Sequence, residues 1–272
     1  MPVERGIRLG ARTLADLKKA GALEAALSDF DRFYIGTEFC ENLLDRALCS
    51  EAARLLRLGR KVCLLTPPLS EKGLRLLDAV FAGLPRPARG AAPDSLEITV
   101  NDFGAVELAR RRRLPFRLNA GRLLRDNVFD NTGKPLKVHN GEALAFWRGL
   151  GISRFELSTI GALPELNFSD GKRYGFSKDD FRITLYYPYL DLTSARACPL
   201  GMPDVKPGEA PRGVACAREC RVAAFELAHP LIKEKLLVRG NTVFLEFPGK
   251  FYSSEKDLEK MNVDRLVYEP WP

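Results

Sequence analysis

The stretch Leu96-Glu97-Ile98-Thr99-Val100, followed by Asn101-Asp102 and a helical pattern from Phe103 to Arg113, decides the fold. It predicts a strand, a short polar turn and a helix, which together form the βα unit of parallel sheets. The same alternation recurs along the chain. The predicted strands are Ile7–Gly10, Arg32–Ile35, Lys61–Leu65, Leu96–Val100, Phe116–Asn119, Arg154–Leu157, Phe181–Tyr187, Val243–Phe247 and Arg265–Tyr268.

Strands at this spacing in a chain of 272 residues indicate an α/β fold, a TIM-type barrel that need not be perfectly regular. We expect a single barrel-like domain over residues 1–272, with a cysteine-bearing loop insertion at about 193–220. That loop follows a predicted strand, so it should open on the C-terminal face, where barrel active sites lie.

The composition is that of an ordinary globular protein, with 46% hydrophobic and 28% charged residues. No apolar run has the length of a membrane span, and Met1 to Arg12 lacks the apolar region of a secretory signal. The expected location is the cytoplasm, where thiols stay reduced, so clustered cysteines favour metal ligands over disulfides. The net charge of +7 permits RNA binding without demonstrating it.

Four of the six cysteines are candidate metal ligands. Cys198, Cys216 and Cys220 follow the predicted strand Phe181–Tyr187, and Cys40 follows Arg32–Ile35, so all four should lie on one face of the barrel. Four thiolates suit a 4Fe–4S cluster, and they also suit tetrahedral zinc. The other two cysteines, Cys49 and Cys63, lie among apolar residues and are expected to be buried hydrophobic side chains.

Several polar residues at strand ends are candidates for chemistry. Glu38 is next but one to Cys40, and acidic residues at such positions serve catalysis, cap helices or pair with arginine. Arginine holds carboxylates bidentately, so arginines near the same face suit an anionic substrate. Arg196, two residues before Cys198, is the best candidate, and each of the others is more simply explained as a surface residue paired with an acidic residue or solvent. The catalytic candidates are Glu38, Asp102, Glu156 and Tyr187, and the substrate-binding candidates are Arg117, Asn119, Arg122 and Arg196.

A hydrolase is disfavoured by the sequence. Only two histidines are present, His139 and His229, and neither belongs to an H-E-x-x-H metal motif. The G-x-S-x-G nucleophile motif is also absent.

Several segments together resemble the collagenase-like peptidase family, the U-thirty-two peptidases. The similar segments, from about residue 30 to 225, are Phe33-Tyr34-Ile35-Gly36, Asn101-Asp102-Phe103-Gly104, Asn140 to Trp147, Leu150 to Ser158, and Ser194-Ala195-Arg196-Ala197-Cys198.

Cys40, Cys198, Cys216 and Cys220 match the cysteine pattern of the branch of this family that serves anaerobic ubiquinone biosynthesis. The resemblance implies a 4Fe–4S cluster and oxygen-independent hydroxylation of an aromatic quinone precursor, together with a second, UbiU-like family protein in a heterodimer. It also implies prephenate as a hydroxyl donor for some relatives and RNA as the substrate of others. An RNA-base hydroxylase or accessory factor is therefore the alternative, and a peptidase is disfavoured. The residues around Gly121 to Val138 and the longer loop between Cys198 and Cys216 depart from the family pattern.

Overall fold

The computed structural model describes residues 3–86, 92, 94–127, 129–130, 137–138, 141–158, 171–201, 216–230, 232–246 and 254–271. The strands are β1 (Glu4–Gly10), β2 (Arg32–Gly36), β3 (Lys61–Leu65), β4 (Leu96–Val100), β5 (Arg117–Ala120), β6 (Phe129–Asp130), β7 (Lys137–Val138), β8 (Ile152–Ser158), β9 (Arg182–Tyr187), β10 (Tyr189–Ser194), β11 (Phe225–His229), β12 (Ile232–Arg239), β13 (Thr242–Glu246) and β14 (Val263–Tyr268). The helices are α1 (Leu14–Lys19), α2 (Leu23–Asp29), α3 (Ala47–Arg57), α4 (Glu71–Gly83), α5 (Phe103–Arg111), α6 (Gly141–Gly149), α7 (Gly171–Tyr174) and α8 (Glu255–Lys260).

A closed parallel barrel confirms the predicted α/β, TIM-type fold. Its strands follow one another in the order β1, β2, β3, β4, β5, β8, β9 and β14, and β14 pairs back with β1. Helices connect successive strands along the outside of the barrel. Within the described part of the chain, no helix is both long and apolar enough to cross a membrane.

Alternation along each strand separates the two faces of the barrel wall. In β4, Leu96, Ile98 and Val100 belong to the large apolar core between strands and helices. Glu97 and Thr99 point the other way and bond to side chains of other strands across the interior. The interior is thus largely polar, with a small apolar group formed by Tyr34, Cys63, Leu65, Tyr186 and Val267.

The predicted strand Val243–Phe247 does not belong to the barrel. The observed strand β13 lies in a separate antiparallel sheet of order β10, β13, β12, β11. This sheet is inserted between β9 and β14, which pair directly with each other in the barrel wall. The expected cysteine-bearing loop is therefore part of a larger insertion from Tyr189 to Glu246, because the chain forms a sheet on either side of it.

Candidate functional site

The four candidate cysteines gather between the C-terminal end of the barrel and the inserted sheet. Burial and the nearby thiols of Cys220, Cys216 and Cys198 raise the pKa of Cys40 to about 11, in spite of a hydrogen bond from the Asn42 amide. Burial also raises the pKa of Cys220, as do Cys198 and Cys216. The other three thiols thus lie within electrostatic range of Cys40, and Cys198 and Cys216 lie within electrostatic range of Cys220.

The described residues contain no group of three or more His, Cys, Asp or Glu side chains that is already placed to hold a metal ion. This is compatible with the thiol electrostatics, since Coulomb repulsion acts over longer distances than metal coordination. The four thiols therefore lie near one another but are not arranged as the ligands of a single metal ion.

Three parts of the backbone deliver the four thiols, because Cys216 and Cys220 share one segment. Cys40 follows β2, Cys198 follows β10, and Cys220 lies in a single turn of 3-10 helix just before β11. Cys198 and Cys220 are buried, and the Sγ atom of Cys198 accepts a 3.3 Å hydrogen bond from the Gly201 amide. Loops from the barrel and from the insertion must therefore meet to complete the set.

A cavity of about 510 Å³ opens beside Cys40 and Cys220, between the barrel and the inserted sheet. Its walls carry the aromatic rings of Phe39, Phe244 and Trp271. Phe39 and Phe244 meet edge to face with ring centroids 5.4 Å apart, which joins β13 of the insertion to the segment after β2. The cavity thus offers apolar walls directly next to two of the thiols.

Arginines outnumber carboxylates on the cavity wall, which Asp16 also lines. Arg8, Arg12 and Arg239 line it, and the Arg12 guanidinium carbon lies 3.7 Å from the centroid of the Trp271 ring. Burial and the like charges of Arg12 and Arg8 lower the pKa of Arg239 to about 10. Cations held close enough to repel one another favour an anionic ligand, whose charge would relieve the repulsion.

Arg8 is fixed by an ion-pair network at the mouth of the barrel. Its Nε atom lies 2.6 Å from Glu38 Oε2 and 3.3 Å from Glu269 Oε1. Arg122, fully buried, donates to the same two carboxylates at 2.5–2.9 Å and to Ser158 at 3.1 Å. These four charged residues close the barrel interior off from the cavity.

The pKa values of the two carboxylates in this network are shifted in opposite directions. Burial opposes ionisation of Glu38, but Arg122 and Arg8 outweigh it and lower the pKa. For Glu269, burial prevails over the same two arginines, and the pKa is raised. Both carboxylates accept hydrogen bonds from arginine, so neither offers a vacant side to a ligand.

Glu156 and Asn119 lie deeper, inside the barrel. Glu156 accepts hydrogen bonds from Tyr186 at 2.6 Å, Thr99 at 2.8 Å and Asn119 at 3.4 Å. Burial, the largest influence, raises the pKa of Glu156 to about 7. The guanidinium carbon of Arg122 lies 4.2 Å from the centroid of the Tyr186 ring, so this group sits directly beneath the ion-pair network.

The remaining candidates are dispersed. Asp102 caps α5, accepting from the Ala105 amide at 2.7 Å, and also accepts from the Leu69 amide at 2.6 Å. Tyr187 ends β9 and packs against Tyr268, with ring centroids 5.6 Å apart. Arg196 is exposed in the segment leading to Cys198.

The expected position of Arg117 near the C-terminal face is wrong. Arg117 is the first residue of β5, and it is exposed at the opposite end of the barrel. The predicted strand starts one residue too early, at Phe116, but the larger reason is that only residues at or after a strand's last position reach the C-terminal face.

The sequence did not point to the arginines and the tryptophan that line the cavity beside Cys40 and Cys220. Arg8 and Arg12 flank the end of the first predicted strand, and this position could have pointed to them. Arg239 and Trp271 carry no such signal, because an antiparallel hairpin and the segment after β14 bring them to the site.

No protein-family model and no curated protein matches the chain. Solved structures similar to it include a glycoside hydrolase family 18 N-acetylglucosaminidase from Paenibacillus barengoltzii, with 12% identity, 98% of this chain and 94% of that chain covered, and a TM-score of 0.40. Another is a GH18 chitinase from Cycas revoluta in complex with (GlcNAc)3, with 10% identity, 97% and 94% coverage, and a TM-score of 0.39. Likeness at this level carries no argument about chemistry, and the candidate site rests on its own geometry.

Proposed function

We propose that this chain is an iron–sulfur protein of oxygen-independent hydroxylation, with a 4Fe–4S cluster held by Cys40, Cys198, Cys216 and Cys220. The observation that carries the proposal is the meeting of four thiols from three separate backbone segments. Cys198, Cys216 and Cys220 lie within electrostatic range of Cys40, and Cys40 and Cys220 line the same cavity. A donor set made only of thiols suits soft metal sites, namely iron–sulfur clusters and zinc. A four-iron cluster spreads its thiolates over several iron atoms, so its ligands need not converge on a single ion.

Protein residues around the thiols fit a small aromatic carboxylate. A bound cluster would supply one-electron redox chemistry at the edge of the cavity. Arg12 and Arg239 would hold the carboxylate, and Trp271 and Phe39 would pack against the ring or its apolar part. The proposed substrate is an aromatic quinone precursor, and prephenate is the proposed hydroxyl donor.

The ion-pair network beneath the cavity supports the same arrangement. Glu38 and Glu269 hold Arg8 in place, so its position on the cavity wall does not depend on a ligand. This preorganisation lowers the cost of binding an anion there. The network also keeps the charged cavity apart from Glu156 and the barrel interior.

A partner subunit is also part of the proposal: a second protein of the same family, with this chain acting as the hydroxylase or as its accessory subunit. The surface that supports it is β11, the outer edge of the inserted sheet, where Phe225 and Leu227 are 36% and 42% exposed. Edge strands with exposed apolar side chains pair readily with other chains. Co-purification with the partner should weaken in a Leu227→Lys variant.

The decisive experiment is purification and reconstitution without oxygen, followed by iron and sulfide analysis and an absorption spectrum. We expect iron and sulfide in equal amounts and their loss in each single Cys→Ser variant of the four ligands. The matched controls are Cys49→Ala and Cys63→Ala, which should keep the cluster. A colourless protein containing one zinc ion would overturn the proposal, and loss of iron in either control would show that the ligand set is wrong.

A further inference from the structure

The end of β12 and the turn that follows it contact all three backbone segments that carry the cysteines. Arg239 donates from Nε to the backbone carbonyl of Cys220 at 3.0 Å. Gly240 lies against the Cys220 side chain, and a Cβ atom placed on it would be 3.5 Å from the sulfur. The third of these residues, Asn241, reaches the other two segments.

Asn241 bridges the barrel and the insertion with a single amide group. Its Nδ2 atom donates to the carbonyl of Phe39 at 2.8 Å and to the carbonyl of Ala195 at 2.6 Å. Phe39 directly precedes Cys40, and Ala195 lies three residues before Cys198. The backbone amide of Ala195 donates in return to the backbone carbonyl of Asn241 at 3.0 Å. One side chain therefore joins the backbones that carry Cys40 and Cys198, which are far apart in sequence.

The orientation of this amide is fixed by its partners. Both acceptors are carbonyl oxygens, so only the NH₂ end can face them, and both of its hydrogen atoms are used. The Oδ1 atom accepts from the Thr242 hydroxyl at 3.3 Å. Replacing the NH₂ group by an oxygen would put a negative charge against two carbonyls without changing the size of the side chain.

We infer that Asn241 is the positioning residue of the thiol set: it holds Cys40 at its working distance from Cys198 and Cys220. The expected effect on iron retention rests on the proposed function. The expected effect on the distance between the free thiols does not. Because the four thiols come from three separate segments, the cost of bringing them together falls on these linking contacts and not on any one loop. Without the clamp, the segment after β2 would keep the Phe39–Phe244 ring contact with the insertion but lose this hydrogen bond to it.

The test compares Asn241→Asp with a matched control elsewhere in the barrel, Asn262→Asp. Asn262 makes the same type of bridge, donating from Nδ2 to the carbonyls of Lys178 and Phe181 at 2.7 and 3.3 Å. It precedes β14, at the end of the barrel away from the thiols. A generic loss of one bridging amide should affect both variants alike, whereas a positioning role should separate them.

Two readouts are measured on the full chain. In the reconstituted protein, we expect Asn241→Asp to lose iron about tenfold faster than the natural chain, as the loss of two hydrogen bonds would give. Asn241→Ala should lie between the two, because it removes the donors without adding charge. Asn262→Asp should lose iron at the natural rate, even where its unfolding temperature falls as far.

In the metal-free protein, a short bifunctional thiol reagent such as dibromobimane, with peptide mapping by mass spectrometry, should join Cys40 to Cys198 or Cys220. The yield should fall in Asn241→Asp and stay unchanged in Asn262→Asp. Equal crosslinking yields in the natural chain and Asn241→Asp would overturn the inference whether or not a cluster forms. If the natural chain takes up no iron while the crosslinking difference holds, then the proposed function fails and the positioning role of Asn241 stands.

Discussion

Tyr186 donates a 2.6 Å hydrogen bond from its hydroxyl to Glu156 Oε2 in the middle of the barrel. Neither side chain reaches solvent, since Tyr186 and Glu156 are 0% and 1% exposed. The pair lies in the barrel interior, with the Arg122 guanidinium stacked over the Tyr186 ring. Burial raises the pKa of Glu156 to about 7. A group of this kind couples folding stability to pH.

The pH dependence of stability should carry the signature of Glu156. Its pKa is raised from 4.5 to about 7, so between these values the unfolded chain releases a proton that the folded chain retains. The free energy of unfolding should therefore fall as pH rises through this window, by up to about 3 kcal/mol. Glu156→Gln should flatten the slope in denaturant titrations between about pH 5 and about pH 8. The exposed Glu107→Gln should keep the slope of the natural chain, and an unchanged slope in Glu156→Gln would rule out its role.

Removing one carboxylate from the ion-pair network at the mouth of the barrel should lower the free energy of unfolding. Glu269→Gln leaves Arg8 and Arg122 with one buried carboxylate, Glu38, to share, and unpaired buried charge typically costs about 3–5 kcal/mol. Adding Arg122→Met restores the charge balance, so the double variant should be less destabilised than the sum of the single variants. Urea unfolding of the three variants gives the coupling energy, and strict additivity would show that the network is not a unit.

The glycine at the end of β2 should tolerate no side chain. Gly36 has φ +107°, and a Cβ atom there would lie 2.5 Å from the carbonyl oxygen of Leu65 on the neighbouring strand. We expect Gly36→Ala to lower the free energy of unfolding by about 3 kcal/mol or more. Gly21→Ala is the matched control, with φ +69° and open space around it, and should cost about 1 kcal/mol. Equal costs in thermal unfolding would contradict the close strand contact.

Ligand affinity should depend on Arg12 and not on Arg196. The Arg12 guanidinium lies against Trp271 on the cavity wall, whereas Arg196 is exposed outside the cavity. With prephenate as the probe, Arg12→Ala should weaken binding about tenfold or more, because a charge-assisted hydrogen bond is lost. Quenching of Trp271 fluorescence reports binding, and Trp271→Phe should abolish the signal. Equal weakening by Arg196→Ala would place the ligand elsewhere.

Strand periodicity was sufficient for the barrel but not for the insertion. Runs such as Leu96–Val100 and Lys61–Leu65 carry enough apolar character to mark barrel strands, and both are observed with the predicted bounds. Val243 to Phe247 has the same local character, yet its partners are β10 and β12. Strand pairing is decided by distant segments, so a local pattern cannot separate a barrel strand from one in an inserted sheet.

For a similar reason, the sequence was sufficient to place the cysteines of the site but not to choose among its arginines. Placing Cys40 and the late cysteines on one face needed only the rule that strand ends share a face, and the structure brings them together. The choice among arginines needed side-chain directions. Arg122 turns inward to Glu38 and Glu269, while Arg12 and Arg239 face the cavity. Such directions follow from tertiary contacts that no spacing in the sequence records.

The direct pairing of β9 with β14 separates the closure of the barrel from the assembly of the thiol site. The chain leaves the barrel after β9, builds the antiparallel sheet and three of the four cysteine positions, and returns to a strand adjacent to the one it left. The barrel closes through strand pairing to which the insertion does not contribute. Buried ion pairs occupy its interior. The pairing that closes the barrel is therefore independent of the ligands that the insertion supplies: Cys40, Arg8 and Arg12 come from the barrel, and Cys198, Cys216, Cys220 and Arg239 come from the insertion.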